Sequence, residues 1–304
     1  MAKGPTFVQS IHDLHRILGY HKPKHPLVSL IQTKDVHIPE ELFGTKLVFD
    51  FYVISLKEKY GKMKYGHNHY DFQEGTMIFT APGQVISPIK RETPETPRGW
   101  SLYLHTDLLR VSGFAERIKQ YSFFSYAANE ALHVSDQEKR ILYECAANIE
   151  REYDQNIDRH SQRLIVSNVE LLLNYCTRFY DRQFITRSTI NKDVITRFEQ
   201  FLANYYHSSP NEIKDLPTVA QCAEAVNLSP HYLSDLLKKE TGKNTQEHIH
   251  LFIIEEAKNK LLGTEQSISE IAFQLGFDYP AYFTKLFKSK TGSTPLQFRK
   301  SNDN

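Results

Sequence analysis

Cysteine is scarce in this chain of 304 residues, and the three present, Cys145, Cys176 and Cys222, lie far apart with no C-x-x-C pair. An odd, scattered set excludes a disulfide framework or a structural zinc ribbon and fits a reducing compartment. Neither sign of charge is in excess. Lys and Arg number 37 against 36 Asp and Glu, for a formal net charge of +1, so no global basic field advertises a nucleic-acid partner. No apolar run approaches the ~18 residues that would span a bilayer. The opening MAKGPTFVQS enters polar sequence without the apolar core of a signal peptide. The expected location is therefore the cytoplasm, with no membrane partner. G-x-S-x-G, P-loop, H-E-x-x-H and dinucleotide fingerprints are all missing. With 40% hydrophobic and 24% charged residues, the composition is that of an ordinary globular protein. The length favours two domains over one.

The N-terminal part carries strand signals. The segments at 46–56 (KLVFDFYVISL), 76–82 (TMIFTAP) and 99–105 (GWSLYLH) are rich in β-branched and aromatic residues. Turn chemistry separates them, including Pro82-Gly83 and the Pro/Thr cluster of 93–98. This spacing predicts a β-sandwich or small barrel with an apolar, aromatic interior. Trp100, the single tryptophan, is expected in that core.

From about residue 135 the period changes. Ser135 followed by Glu138 is a capping-box signature, and Ile141, Cys145 and Ile149 then recur every four residues. Ile165, Val169, Leu172, Cys176 and Phe179 step by four and three, an amphipathic helix stripe. These helices have two candidate partners, the β domain itself or a second subunit. The stretch 180–193 (YDRQFITRSTINKD) shows no clear stripe and suggests a domain boundary. The expected organisation is a β domain over 1–130, a helical dimerisation or linker segment over 131–189, and a helical domain over 190–300.

An internal repeat dominates that last domain, in units at 216–242 and 267–292. Val219, Cys222, Ala223 and Val226 share their i, i+3, i+4, i+7 spacing with Ile268, Ile271, Ala272 and Leu275. A break follows each, at Asn227-Leu228-Ser229-Pro230 and at Gly276-Phe277-Asp278-Tyr279-Pro280. Proline suits the first turn of a new helix. The second helices align as Leu233, Leu236 and Leu237 with Phe283, Leu286 and Phe287, and each ends at Thr-Gly. Helix, tight turn, helix with a small alanine at the crossing is the helix-turn-helix pattern. One copy would be weak evidence, because any helical hairpin has similar spacing; two matched copies are specific. Residues 245–262 predict a connecting helix of about 27 Å at 1.5 Å per residue. That length is commensurate with two recognition helices set about 34 Å apart, one duplex turn.

Residues 216–300 resemble the DNA-binding domain of AraC/XylS-type transcription regulators. The segments AEAVNLSPHYLSDLLKKETG, IEEAKNKLL, SISEIAFQLGFDYPAYFTKLFKSKTG and the tail TPLQFR, Thr294 to Arg299, carry the resemblance. Upstream, FQEGTMIFTAPGQ (72–84) is similar to the cupin-like sensor barrel of many members. The resemblance implies an α+β protein: a cupin-like β-barrel or sandwich with following helices, then an all-α domain with two helix-turn-helix units. It implies double-stranded promoter or operator DNA as partner, with RNA polymerase as a further candidate. The β domain would either bind a small-molecule effector or serve homodimerisation, the helices of 135–180 being the candidate dimer contact.

On the first recognition helix, His231, Tyr232, Ser234, Asp235 and Lys238 are expected to face away from the leucines. The resemblance places His231 and Asp235 at base-reading positions. On the second, Ala281, Tyr282, Thr284, Lys285 and Lys288 take that side, with Lys285 the best donor to guanine O6/N7. Lys238, Lys239, Lys243, Lys288 and Lys290 are candidates to neutralise phosphates. For Lys239, Lys243 and Lys290 a merely solvated face is an equal reading. Two positions depart from the family: Asp235 stands where a basic residue is frequent, and Ile253 where an arginine is. From residue 190 onward thirteen Lys and Arg face fourteen Asp and Glu, so non-specific affinity for DNA should be modest.

The β domain also contains GKMKYGHNHYDFQE, in which Gly61, His67, His69 and Glu74 match the opening of the cupin metal pattern. Two histidines and a carboxylate would suit Fe, Mn or Zn. The second half of the pattern, a histidine beyond Pro82-Gly83, is missing. No metal, cofactor or catalytic residue is therefore expected, and the protein is not read as an enzyme. Stoichiometric metal in purified protein would favour the enzyme alternative. A third reading, an architectural DNA binder, predicts no sequence preference.

Overall fold

The computed structural model describes residues 5–302 except 37, 59–61, 66–67, 72–74, 89–97, 156–157, 159 and 208–214. The chain divides into two compact units, Met1–Thr186 and Arg187–Asn304.

The first unit contains β1 (Thr6–Val8), α1 (Ile11–Ile17), β2 (Val28–Gln32), β3 (Leu47–Phe49), β4 (Phe51–Glu58), β5 (Lys62–Tyr65), β6 (Asn68–Asp71), β7 (Thr76–Thr80), β8 (Val85–Ile86) and β9 (Arg98–His105). It continues with α2 (Thr106–Val111), β10 (Leu132–His133), α3 (Asp136–Asp154) and α4 (Ser161–Thr186). The strands form a five-stranded sheet in the order β10-β7-β4-β9-β2, a three-stranded sheet β1-β3-β8 and the hairpin β5-β6. All four pairings in the larger sheet are antiparallel. The strand-rich segments of the sequence thus fall on β3 and β4, on β7 and on β9.

Strand β4 explains why its sequence reads as a nearly continuous apolar run rather than a clean alternation: both of its faces are covered. Ile54 and Leu56, with Trp100, Leu102 and Leu104 of β9, are buried on one face. Helix α3 covers this side, where Tyr143 Oη donates to Glu58 Oε1 at 2.6 Å and Tyr153 Oη donates to the Leu30 carbonyl at 3.3 Å. Val53, Ser55 and Lys57 point the other way, into the space shared with Leu47, Phe49 and Ile86 of the smaller sheet.

Helix α3 begins with the capping box expected from Ser135 and Glu138: Ser135 Oγ accepts from the Glu138 amide at 3.3 Å, and Glu138 Oε2 accepts from the Ser135 amide at 2.8 Å. Ile165, Val169, Leu172, Cys176 and Phe179 of α4 are all buried. Of the two partners open to these helices, the unit's own sheet is one they cover, α3 packing on β2 and α4 on β10. The stretch 180–193 proves helical, with α4 running to Thr186 and α5 starting at Ser188. Its stripe was hidden because a polar residue completes it. Gln183 is buried between Tyr180 and Phe184, accepting from the His133 amide at 2.8 Å and donating to the Ala131 carbonyl at 3.3 Å.

The regular elements among the described residues of the second unit are all helices: α5 (Ser188–His207), α6 (Val219–Ala225), α7 (Pro230–Thr241), α8 (Thr245–Gly263), α9 (Ile268–Gln274), α10 (Pro280–Thr291) and α11 (Pro295–Asn302). Helix α8 is central, burying Ile249, Ile253, Ile254, Ala257 and Leu261 and packing against α6, α7, α9, α10 and α11. Ile253, one of the two positions noted above as departing from the resembled family, is fully buried and serves the core.

Candidate nucleic-acid interface

The two repeats fold alike down to individual hydrogen bonds. In the first, the Thr218 hydroxyl accepts from the Gln221 amide at 3.2 Å and Gln221 Oε1 accepts from the Thr218 amide at 2.9 Å. In the second, Ser267 and Glu270 make the same exchange at 3.2 and 2.7 Å. Each box satisfies amides that a helix start leaves open. The turns also match. Leu228 N–H donates to the Ala223 carbonyl at 2.9 Å, and Phe277 N–H donates to the Ala272 carbonyl at 3.0 Å. Asn227, at φ 59°, is the one non-glycine residue with positive φ among those described, and Gly276 takes φ 90° at the equivalent place. Asparagine tolerates this left-handed conformation better than most residues.

Pro230 and Pro280 sit in the first turns of α7 and α10, and Gly242 and Gly292 cap both helices in the left-handed conformation. Of the inner-face residues anticipated, Leu233, Leu236, Leu237, Phe283 and Phe287 are buried and Leu286 is half-buried. The arrangement continues into the tail. Thr294 and Gln297 form a further box opening α11, and Arg299 Nε donates to the Leu261 carbonyl at 2.9 Å. That guanidinium lies at the C-terminal turn of α8, where a cation complements the helix dipole. The TPLQFR tail therefore has a local role, closing α11 onto α8.

On α7, His231, Asp235 and Lys238 share one face at i, i+4 and i+7. His231 and Lys238 are exposed and Asp235 is half-buried. Ser234 is half-buried, its Oγ 3.0 Å from Thr245 Oγ1 at the start of α8. Tyr232 is a correction. It is only 5% exposed, because position 232 lies one helical turn before buried Leu236 and so joins the inner face. On α10, Ala281, Lys285 and Lys288 share the corresponding face and are exposed, while Thr284 is half-buried. Tyr282 is 66% exposed; its i+4 neighbour Leu286 is only half-buried. Lys238, Lys285 and Lys288 form no ion pair among the described residues.

Sequence reasoning missed Tyr279. It is 64% exposed and meets the Tyr282 ring edge to face at 5.7 Å. The available signal was its place before Pro280, a helix N-cap whose side chain makes no capping bond. On α8, burial holds His250 below its ordinary value and the charge of Lys290 adds to this. His248 is lowered in the same way, by burial and then by Lys243. His248 Nε2 lies 2.7 Å from Thr241 Oγ1.

The metal-like pattern falls largely outside the described residues, which exclude Gly61, His67 and Glu74. His69 lies on β6, its backbone paired with Lys64. Among the described residues no group of three or more His, Cys, Asp or Glu is placed to hold a metal ion. None of the described helices is long and apolar enough to cross a membrane.

Two capped helix pairs, each with an exposed second helix face, define the C-terminal unit as a double helix-turn-helix domain. Residues 222–301 match the helix-turn-helix domain family. The chain is 28% identical over 242 residues to YfiF, an uncharacterised HTH-type transcriptional regulator of Bacillus subtilis (strain 168), covering 77% of this chain and 71% of that protein. It is 28% identical over 138 residues to an uncharacterised HTH-type transcriptional regulator of Staphylococcus aureus (strain MSSA476), covering 45% of this chain. It spans only 17% of that relative's length. Among solved structures it is similar to the C-terminal domain of AraT, a response regulator from Geobacillus stearothermophilus, at 31% identity and TM-score 0.32, over 36% of this chain and 85% of that one. The C-terminal unit is an AraC-type helix-turn-helix domain.

Proposed function

We propose that the protein is a sequence-specific DNA-binding transcription regulator of the AraC/XylS type. The observation that carries this reading is the duplicated helix-turn-helix with matched faces on α7 and α10, the latter presenting Ala281, Lys285 and Lys288 at i, i+4 and i+7. That spacing suits a helix laid in a major groove. Lys285 is assigned to a guanine edge, and Lys238 and Lys288 to phosphates. His231 and Asp235 are the base readers of α7; a carboxylate there accepts from cytosine N4. Residues 1–130 form the cupin-like sensing part, 131–189 the helical segment that joins two copies, and 190–300 the reader of promoter DNA. A small molecule in the sensing part shifts the population competent to bind DNA. The protein acts in the cytoplasm, as a homodimer, beside RNA polymerase, and carries no catalytic residue.

Selection of bound duplexes from a random pool tests the reading, with full-length protein and Lys285→Ala in parallel. The expected result is two short motifs about one duplex turn apart, one of them relaxed in the variant. Equal recovery of all sequences at moderate salt would overturn it.

A further inference from the structure

The two recognition helices align residue for residue, Ser229 with Tyr279, Pro230 with Pro280, His231 with Ala281 and Tyr232 with Tyr282. At the first and last of these positions the copies use their side chains in opposite ways. Ser229 caps α7, its Oγ accepting from the Tyr232 amide at 3.3 Å. Tyr279 holds the N-cap of α10 without a capping bond, and the Tyr282 amide donates instead to the Tyr279 carbonyl at 2.9 Å. Serine is among the strongly preferred N-cap residues because its oxygen accepts such an amide. Helix α10 forgoes that stabilisation. Tyr232 is buried, whereas Tyr279 and Tyr282 are both exposed.

The two exposed rings meet edge to face, with centroids 5.7 Å apart and planes at 88°, an arrangement that aromatic pairs favour. Each ring restricts the other, so the pair presents a formed apolar edge. It stands at the start of α10, the end of a recognition helix that reaches base edges. Ala281 lies between the tyrosines in sequence, and Lys285 is the i+3 neighbour of Tyr282 on the helix surface. Both Ala281 and Lys285 are exposed. The second copy therefore sets two rings and a methyl group beside a cation. On base edges in the major groove, the apolar feature is the C5-methyl group of thymine, and alanine and aromatic side chains contact it.

We propose that Tyr279, Ala281 and Tyr282 read the C5-methyl group of a thymine in the half-site bound by α10, beside the guanine assigned to Lys285. The inference rests on the reading of the second unit as a binder of specific promoter DNA and names a base that this copy selects. The first copy has no counterpart of the patch, since its corresponding residues are a capping serine, His231 and a buried tyrosine. The two half-sites thus differ at this base although the two scaffolds match.

The test uses full-length protein and the duplex selected from a random pool, the α10 half-site being the one relaxed in Lys285→Ala. Each thymine of that half-site is replaced in turn by deoxyuridine, which keeps the hydrogen-bonding edge and lacks the methyl group. One replacement should weaken binding by about fourfold, the effect of one buried methyl. Tyr279→Ser combined with Tyr282→Ala should abolish the difference between thymine and uracil, and Tyr279→Phe should keep it. Serine restores the cap of the first copy, so Tyr279→Ser alone should melt no lower than the unaltered protein; this separates a lost contact from a lost fold. An α10 half-site without thymine, or equal binding of every uracil-substituted duplex, would overturn the proposal. A thymine preference that survives in the double variant would do the same. Weaker binding by Tyr279→Phe with no thymine preference would assign the phenol to phosphate and overturn the methyl contact. Specific binding without a methyl effect removes this inference alone, whereas absence of specific binding removes the DNA reading with it.

Discussion

Gly99 offers the sharpest test of how the first unit is built. It pairs with Lys57 in the β4–β9 ladder and has φ +109°, a region open essentially to glycine alone. A methyl group added there would fall on the Leu56 carbonyl oxygen and within 2.9 Å of its carbon. No flexible side chain can yield, and β4 is held on both edges by β7 and β9. The backbone preference costs about 1–2 kcal/mol and overpacking about 1–3 kcal/mol more. Gly99→Ala should therefore destabilise the unit by about 2–5 kcal/mol, lowering its melting midpoint by roughly 4–20 °C at this size. Trp100, buried in this unit and the only tryptophan of the chain, reports the transition by fluorescence. Gly113→Ala is the comparison: it shares a positive φ, +70°, but its Cβ would meet nothing within 4 Å, so only the backbone cost applies. The reasoning fails if Gly99→Ala melts no lower than Gly113→Ala.

Burial holds His15 below its ordinary 6.5, the His21 carbonyl partly opposing this, and burial lowers His25 similarly. The native unit favours neutral imidazoles, so this stability is complete above about 6.5 and is lost as pH falls from there toward the native pKa values. The urea midpoint of Trp100 fluorescence should fall on acidification through that range and fall less in His15→Asn; a flat profile would refute the assignment. Asn244→Ala removes the cap of α8, whose Oδ1 accepts from the Glu247 amide at 2.9 Å, and should cost about 1 kcal/mol in helix unfolding followed by circular dichroism. Asn244→Asp should restore it. All three thiols are buried, and burial raises each, Cys222 to about 11. Labelling with a disulfide reagent should be slow in native protein and reach three equivalents after unfolding; fast native labelling would contradict the packing.

What could be read in advance was what local chemistry dictates. The box at Ser135, the prolines opening α7 and α10 and the glycines closing them are short-range devices, and each appears where its residues stand. Tyr232 eluded this reading because tyrosine is indifferent between surface and core; its burial follows from its place one helical turn before buried Leu236. Gln183 hid the end of the α4 stripe because its side chain is satisfied only by backbone of 131–133, some fifty residues earlier. The serine pair inside the first unit was invisible for the same reason. Ser55 and Ser101 are unremarkable singly, and only the pairing of β4 with β9 brings their hydroxyls together. Non-local register leaves no periodic trace in a sequence when both faces of the central strand are buried.

The two helix-turn-helix copies share a scaffold but not a surface, and the difference bears on how a nearly neutral domain would hold DNA. On α7 the outer face has lost Tyr232 to the core, turned Ser234 toward Thr245, and carries Asp235 at the position between His231 and Lys238. On α10 the same positions carry exposed Tyr282, Lys285 and Lys288, with Tyr279 against the Tyr282 ring. Phosphate repels Asp235 and attracts Lys285 and Lys288 of α10, so under the proposed function affinity comes mainly from the second copy. The first copy then contributes discrimination: a carboxylate near base edges gains from a cytosine amine and loses against an acceptor. Acids and bases nearly balance from residue 190 onward, which limits attachment to arbitrary duplex and raises the share of binding that depends on sequence.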